Sequence, residues 1–250
     1  MSLVRTGEQD GVTVVMLDRP RANAFDTDLV EELRQAFREA VGSQAVVLAS
    51  ALPTIFSAGW DLKALSGIDR KGMEAFVEAY CDLVREIFVF GAPVIAALPG
   101  HAIAGGLIVA ATADERIAAE GRGEFGLSEV LLGVPVPQCL LEIFRHVMGA
   151  RGMERLATTG ENASVERALS SSLVDRVVPA EDLLGCAVGR AATLAKLPGG
   201  PHAAIKRRAR AAALARFDQA RAHDPFLDAW FGKDAQARIA ALVARLSKKA

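Results

Sequence analysis

The sequence predicts an α/β fold with a helical C-terminal region, and three observations carry that prediction. Short β-branched or apolar runs alternate with segments of helical periodicity through the first 178 residues, the pattern of strands and helices packed in layers. After residue 178 every remaining segment reads as helix. The 250 residues are 51% apolar and 24% charged, which suits a globular chain with a large core and excludes disordered and collagen-like classes.

The first strand is expected at 12–17, stopped by Asp18, Arg19 and Pro20. Asp28 and Glu31, three residues apart, predict the cap of a helix running through Leu33 and Phe37. Residues 45–49 read as a second buried strand, followed by a loop around 53–59. The segment 72–88 places Phe76, Val77, Tyr80, Val84 and Ile87 at helical spacing. A third strand is expected at 93–98, a small-residue helix at 103–112, a fourth strand at 114–118 and a last one at 174–178. Helices follow at 180–197, from Pro201 to about Ala222, and at 233–246. Pro198, Gly199, Gly200 and Pro201 predict a linker, which divides the chain into a core at 1–197 and a helical region at 198–250. In the last helix Ile239, Leu242, Val243 and Leu246 form an apolar stripe that the core or another subunit must cover.

Charge gives no global address, because 29 basic residues face 30 acidic ones. Locally, Lys206, Arg207, Arg208, Arg210, Arg216 and Arg221 against Asp218 give 206–221 a net +5, while 1–205 carry −8. That asymmetry admits RNA binding as a rival function. With Phe217 the one aromatic residue inside the segment, stacking on single strands has little support, so a basic helix face against an acidic core or neighbouring subunit is preferred. Cys81, Cys139 and Cys186 are odd in number and widely spaced, which fits buried thiols in a reducing cytoplasm. The polar N-terminal stretch lacks the apolar core of a signal peptide. Residues 92–113 are apolar, but Pro93, Pro99, Gly100, His101, Gly105 and Gly106 break them into pieces too short to span a bilayer. A cytoplasmic protein without a membrane span is therefore expected.

Two glycine-containing loops, FSAGWDL at 56–62 and PGHAIAGGL at 99–107, each follow a buried run and open a helix. Such loops can turn backbone N–H groups and a helix N-terminus toward a carbonyl oxygen or an anion; the alternative is that the glycines only permit tight turns or close packing. Together with EFGLSEVLLGVPVP at 124–137, RPRANAFD at 19–26 and FGKDAQARIAAL at 231–242, they resemble the crotonase (enoyl-CoA hydratase/isomerase) superfamily over nearly the whole chain.

That resemblance implies a spiral of β-β-α turns with a helical C-terminal trimerisation region. It implies acyl-CoA thioester substrates, no permanently bound cofactor, and coenzyme A entering as part of the substrate. By the same resemblance, the backbone N–H groups of Trp60 and Gly105 are the oxyanion donors and Glu129, in GLSEVLLG, is the candidate base. The family hydratases carry a second glutamate where this chain has Ile108, so in this respect the sequence looks like the monofunctional Δ3,Δ2-enoyl-CoA isomerases. One carboxylate suits moving a proton between two carbons better than adding water across a double bond.

The resemblance also assigns Ala22, Asn23, Ala24, Ala58 and Leu62 to the coenzyme A portion, with Arg19 and Lys63 as phosphate contacts and Asp61 as a loop-stabilising or ligand-amide contact. Leu65, Met73, Phe76, Val77 and Tyr80 are candidates for the acyl-pocket wall, with Ile108; an ordinary core face explains that helix equally well. Glu124 and Glu142 are expected to face solvent and His101 to be structural. No metal-ligand spacing or dinucleotide fingerprint is present in the sequence. The expected assembly is a homotrimer or a pair of trimers.

Overall fold

A computed structural model describes residues 2–221 and 224–247; Ala222, at the end of the helix expected from Pro201, lies outside them. The first half of the chain runs β1 (Val4–Gln9), β2 (Val12–Leu17), α1 (Thr27–Glu39), β3 (Val46–Ser50), β4 (Ile55–Ser57), α2 (Leu62–Leu65), α3 (Arg70–Phe88), β5 (Val94–Leu98), β6 (His101–Ile103) and α4 (Gly105–Ala111). The second half runs β7 (Glu115–Ala119), β8 (Glu124–Gly126), α5 (Gln138–Thr159), β9 (Ala163–Ser164), α6 (Val165–Ser170), β10 (Arg176–Val178), α7 (Leu183–Ala195), α8 (Gly199–Arg221), α9 (Phe226–Trp230) and α10 (Lys233–Ser247). Short 3-10 turns occupy Glu129–Leu132 and Ala180–Asp182.

The strands form two sheets, one of order β1-β2-β3-β5-β7-β10 and one of order β4-β6-β8-β9. Each of three successive turns puts one strand in each sheet: β3 then β4, β5 then β6, β7 then β8. The repeated strand-strand-helix turn makes the spiral that the resemblance implies. In the larger sheet only β1 pairs antiparallel; the rest are parallel. Both faces of that sheet are covered, which explains its nearly continuous apolar strands. Val47, Ile95 and Ile117 meet Leu183, Ala187 and Val188 of α7, while Val46, Leu48, Val94 and Leu98 join the larger core cluster with α1 and α3.

Several boundaries differ from the sequence expectation, each for a local reason. The cap of α1 is Asp26, whose side chain accepts from Leu29 N at 3.0 Å, rather than Asp28. Asp69 caps α3 through Gly72 N, so that helix starts at Arg70. The expected helix at 103–112 begins at Gly105, because His101–Ile103 is a strand. The expected linker at 198–201 is helix from Gly199 onward; proline is tolerated in a first helical turn, where its missing N–H has no partner to lose. Ala213, Phe217, Phe226, Trp230, Ala235 and Ile239 all belong to the main core cluster, so the C-terminal helices share one apolar interior with the strands. The long helix α5, for which the sequence reading had no element, bends at Gly149.

Candidate active site

The three motifs converge because of the small sheet. β4 pairs parallel with β6, and β6 with β8, in the registers Ser57 with Ala102 and Ile103 with Gly126. The residues following the three strands therefore emerge side by side at one edge, where open parallel sheets commonly bind ligands. They are Ala58 to Asp61, Ala104 with Gly105, and Leu127 to Glu129.

Packing between the first two loops accounts for the glycines. A Cβ on Gly59, whose φ is +93°, would lie 2.9 Å from Ile103 O; one on Gly106 would lie 2.5 Å from Ser57 O; one on Gly105 would lie 2.7 Å from Trp60 Cδ1. The loops interlock at a distance that only hydrogen at these positions allows. Ala104, at φ +49° and ψ −124°, holds a conformation that costs a non-glycine residue about 1–3 kcal/mol. The turn directs Gly105 N–H, the first amide of α4, away from any intrahelical partner. Among the described residues neither Trp60 N–H nor Gly105 N–H donates a hydrogen bond. Both residues line the same cleft.

The 19–26 loop is zipped to the first glycine loop by backbone hydrogen bonds: Ala58 N to Ala22 O, Phe25 N to Gly59 O and Asp61 N to Phe25 O, at 2.7–3.0 Å. Asn23 is the pin. It is fully buried, its Nδ2 donates to Ser50 Oγ and Phe56 O, and its Oδ1 accepts from Arg19 N. With its polar groups engaged it builds the loop and does not line the cleft, a correction to its expected coenzyme A contact. Ala22, Ala24, Ala58, Leu62 and Lys63 do line it. So does Arg19, but its guanidinium is held between the carboxylates of Asp26 and Asp61, leaving little unbalanced charge for a phosphate. Asp61 also caps α2 through Lys63 N and Ala64 N, as a loop-stabilising residue would.

Glu129 opens the 3-10 turn after β8, which Gly133 closes in a left-handed conformation. Its carboxylate atom Oε2 is buried without a hydrogen-bond partner, although the residue as a whole is only half-buried. Burial raises the carboxyl from an ordinary 4.5 to about 7, since the charged form loses its hydration and no cation compensates. Leu132 and Val134 of its own segment, with apolar side chains of other elements, wall its surroundings.

Those walls bound a cleft of about 1000 Å³. Ile108, Leu132, Val134, Phe226 and Trp230 line it, and Leu242, Val243 and Leu246 of α10 lie across it. Ile239 is fully buried in this chain's own core, whereas Leu246 stays 53% exposed, so the core covers only the first part of the stripe. Leu65, Met73, Phe76, Val77 and Tyr80 do not line the cleft. They pack behind the Trp60 indole, which meets Phe76 and Tyr80 edge-on at centroid distances of 5.0 and 5.3 Å. The core-face reading of that helix is the one the structure supports. The sequence reading missed the aromatic wall of α9 because that helix is only five residues long.

The basic segment is largely spent on internal pairs. Lys206 and Arg210 clamp the Asp114 carboxylate, and Arg210 lies over the Phe88 ring at 4.4 Å. Burial pulls Lys206 down to about 8 against the opposing pull of Asp114. Arg221 pairs with Asp82, and Arg216 with Glu142, so Glu142 is buried and not solvent-facing as expected. Arg207 and Arg208 remain exposed. Glu124 and His101 are exposed and outside the cleft lining. Among the described residues no His, Cys, Asp and Glu cluster could hold a metal, and no helix is long and apolar enough to cross a membrane.

Known proteins resemble this chain over most of its length. Enoyl-CoA delta isomerase 1, mitochondrial, is 29% identical over 185 residues in Rattus norvegicus and over 200 residues in Homo sapiens, covering 72% and 78% of this chain. The matches span less than two thirds of those relatives' own length, 64% and 66%. Carnitinyl-CoA dehydratase of Proteus mirabilis is 32% identical over 180 residues, covering 70% of this chain and 68% of its own. The crystal structure of human mitochondrial delta3-delta2-enoyl-CoA isomerase superposes with a TM-score of 0.89 at 25% identity, covering 99% of each chain. The profile of the Enoyl-CoA hydratase/isomerase family matches residues 7–237. The chain belongs to that family, the crotonases.

Proposed function

We propose that this enzyme moves the double bond of a 3-enoyl-CoA to the trans-2 position, with Glu129 as the single proton shuttle. The observation that carries the reading is the state of the two carboxylates lining the cleft: Asp61 is committed to Arg19 and to capping α2, whereas Glu129 keeps Oε2 buried without a hydrogen-bond partner and its carboxyl is raised to about 7. Where the family hydratases place a second carboxylate, Ile108 lines the cleft.

In this reading the thioester oxygen accepts from Trp60 N–H and Gly105 N–H. Glu129 takes a proton from C2, the electron pair spreads over a dienolate whose oxygen the two amides hold, and Glu129 returns the proton to C4 as the double bond settles between C2 and C3. Backbone donors cannot titrate, and removing one such donor in another enzyme cost about 2.7–4 kcal/mol. A base near 7 is about half ionised at neutral pH and accepts a proton well. Ala22, Ala24, Ala58, Leu62 and Lys63 hold the coenzyme A portion, and no separate cofactor enters. The reading includes a homotrimer or a pair of trimers, and a cytoplasmic setting for the free thiols.

The dehydratase relatives favour a second reading, addition or removal of water at C3. A panel of 2-enoyl-CoA and 3-enoyl-CoA esters separates the two: isomerisation of the 3-enoyl esters with little hydration supports the proposal, and efficient loss of the conjugated thioester absorbance through hydration overturns it.

A further inference from the structure

Tyr80 is the sole tyrosine of the chain, and it is fully buried on α3. Its hydroxyl donates to the carbonyl oxygen of Gly105. Its ring stands edge-on to Trp60, at a centroid distance of 5.3 Å and an interplanar angle of 78°, and edge-on to Phe25 at 5.7 Å. It therefore touches both loops of the candidate oxyanion hole: the Trp60 side chain, and Gly105, which lines the cleft. The point where a Gly105 Cβ would stand is 2.9 Å from Trp60 Nε1 and 3.1 Å from the Tyr80 hydroxyl.

Something must hold this junction. Ala104, directly before Gly105, sits at positive φ, and such a conformation persists only where its surroundings over-determine it. Ala104 N donates to Gly126 O at 2.8 Å on one side; on the other, the Tyr80 hydroxyl restrains the Gly105 carbonyl. Burial, with Cys81 and Glu129 nearby, keeps the phenol well above its ordinary 10, so it stays a donor throughout the working pH range.

We infer that Tyr80 is a positioning residue for the oxyanion hole: its hydroxyl holds the Gly105–Gly106 peptide, directly after the donor amide, while its ring packs against the Trp60 indole, and together they set the spacing of the two backbone donors. This rests on the enolate reading above. It assigns Tyr80 no contact with substrate and no proton transfer, and it replaces the acyl-pocket role expected from the sequence.

Tyr80→Phe keeps the ring and removes the hydroxyl. The expected result is a kcat lower on the order of 10-fold, less than the 10²–10³ of deleting a donor outright, with KM within about twofold. The affinity ratio of a 3-oxoacyl-CoA, which can bind as an enolate, to a saturated acyl-CoA of equal length should fall by a similar factor. A merely structural role would lower thermal stability and leave that ratio unchanged, and this result overturns the inference. Because Tyr80 is the sole tyrosine, growth on 3-fluorotyrosine gives a single fluorine signal in the otherwise unaltered enzyme. That signal should move more with the 3-oxoacyl-CoA than with the saturated ester, and equal responses also overturn the inference. Absence of α-proton exchange in the unsubstituted enzyme with every acyl-CoA tested would instead reject the enolate reading itself.

Discussion

Replacing Glu129 by glutamine removes a proton acceptor at nearly constant volume, and catalysis and stability should then move in opposite directions. An acid that titrates at about 7 in the folded chain, against 4.5 for the ordinary group, is penalised by folding once it ionises. Below pH 4.5 both folded and unfolded chains carry the proton and nothing is lost. Between 4.5 and 7 the unfolded chain releases the proton first and the penalty grows; above 7 it levels off at about 3 kcal/mol, taking about 1.36 kcal/mol for each tenfold in proton affinity. From pH 5 to pH 8 the wild type should thus lose about 2.5 kcal/mol of stability relative to Glu129→Gln. Urea unfolding of both proteins at the two pH values reads this directly. Over the same range wild-type kcat/KM should climb on the order of 90-fold as the free-enzyme carboxylate ionises, and the variant should exchange the substrate C2 proton with deuterated water on the order of 10²–10⁴ more slowly. A stability difference independent of pH would show that the carboxylate is not desolvated. Exchange at the wild-type rate in the variant would show that another group is the base.

Ile108→Glu places a carboxylate where the family hydratases have one, and its hydration-to-isomerisation ratio should rise; an unchanged ratio, measured with both ester types, would remove Ile108 from the argument. Burial of the new charge is costly, so the gain should be modest. Arg210→Ala strips a buried partner from Asp114 and should cost about 3–5 kcal/mol in chemical unfolding, whereas Arg207→Ala with Arg208→Ala should leave stability and turnover near wild type. RNA affinity should be weak and steeply salt-dependent, and tight binding at physiological salt in a filter assay would contradict this. Light scattering should give a multiple of three chain masses of 26.4 kDa, and a concentration-independent monomer would exclude the trimer.

The long strands were legible because runs such as Val12 to Leu17 and Val94 to Leu98 are buried on both faces, and period-independent apolar runs are easy to find. The three strands that assemble the site are only three residues each, too short for any period to register. None of the three was expected as a strand, and the sequence offered only the motifs around them. The family resemblance pointed to Trp60 and Gly105, but it could not distinguish a helix face behind Trp60 from a pocket wall in front of it. Asn23 and Tyr80 were misplaced for that reason: a buried polar group that finishes a loop and one that touches a ligand look alike in sequence. The apolar stripe of α10 was read as needing cover, and this chain's own core supplies it at Ile239 but leaves Leu246 exposed; how far the core reaches depends on the course of the chain through α8 and α9.

Deuterium tracing tests the single-carboxylate shuttle most directly. A 3-enoyl-CoA carrying deuterium at C2, turned over in ordinary water and stopped early, should yield 2-enoyl-CoA with part of the label at C4, because one buried carboxylate takes the isotope from one carbon and returns it to the other before solvent exchanges it. Product whose C4 hydrogen comes wholly from solvent at the earliest turnover, with the isomerisation rate insensitive to Glu129→Gln, would contradict the account.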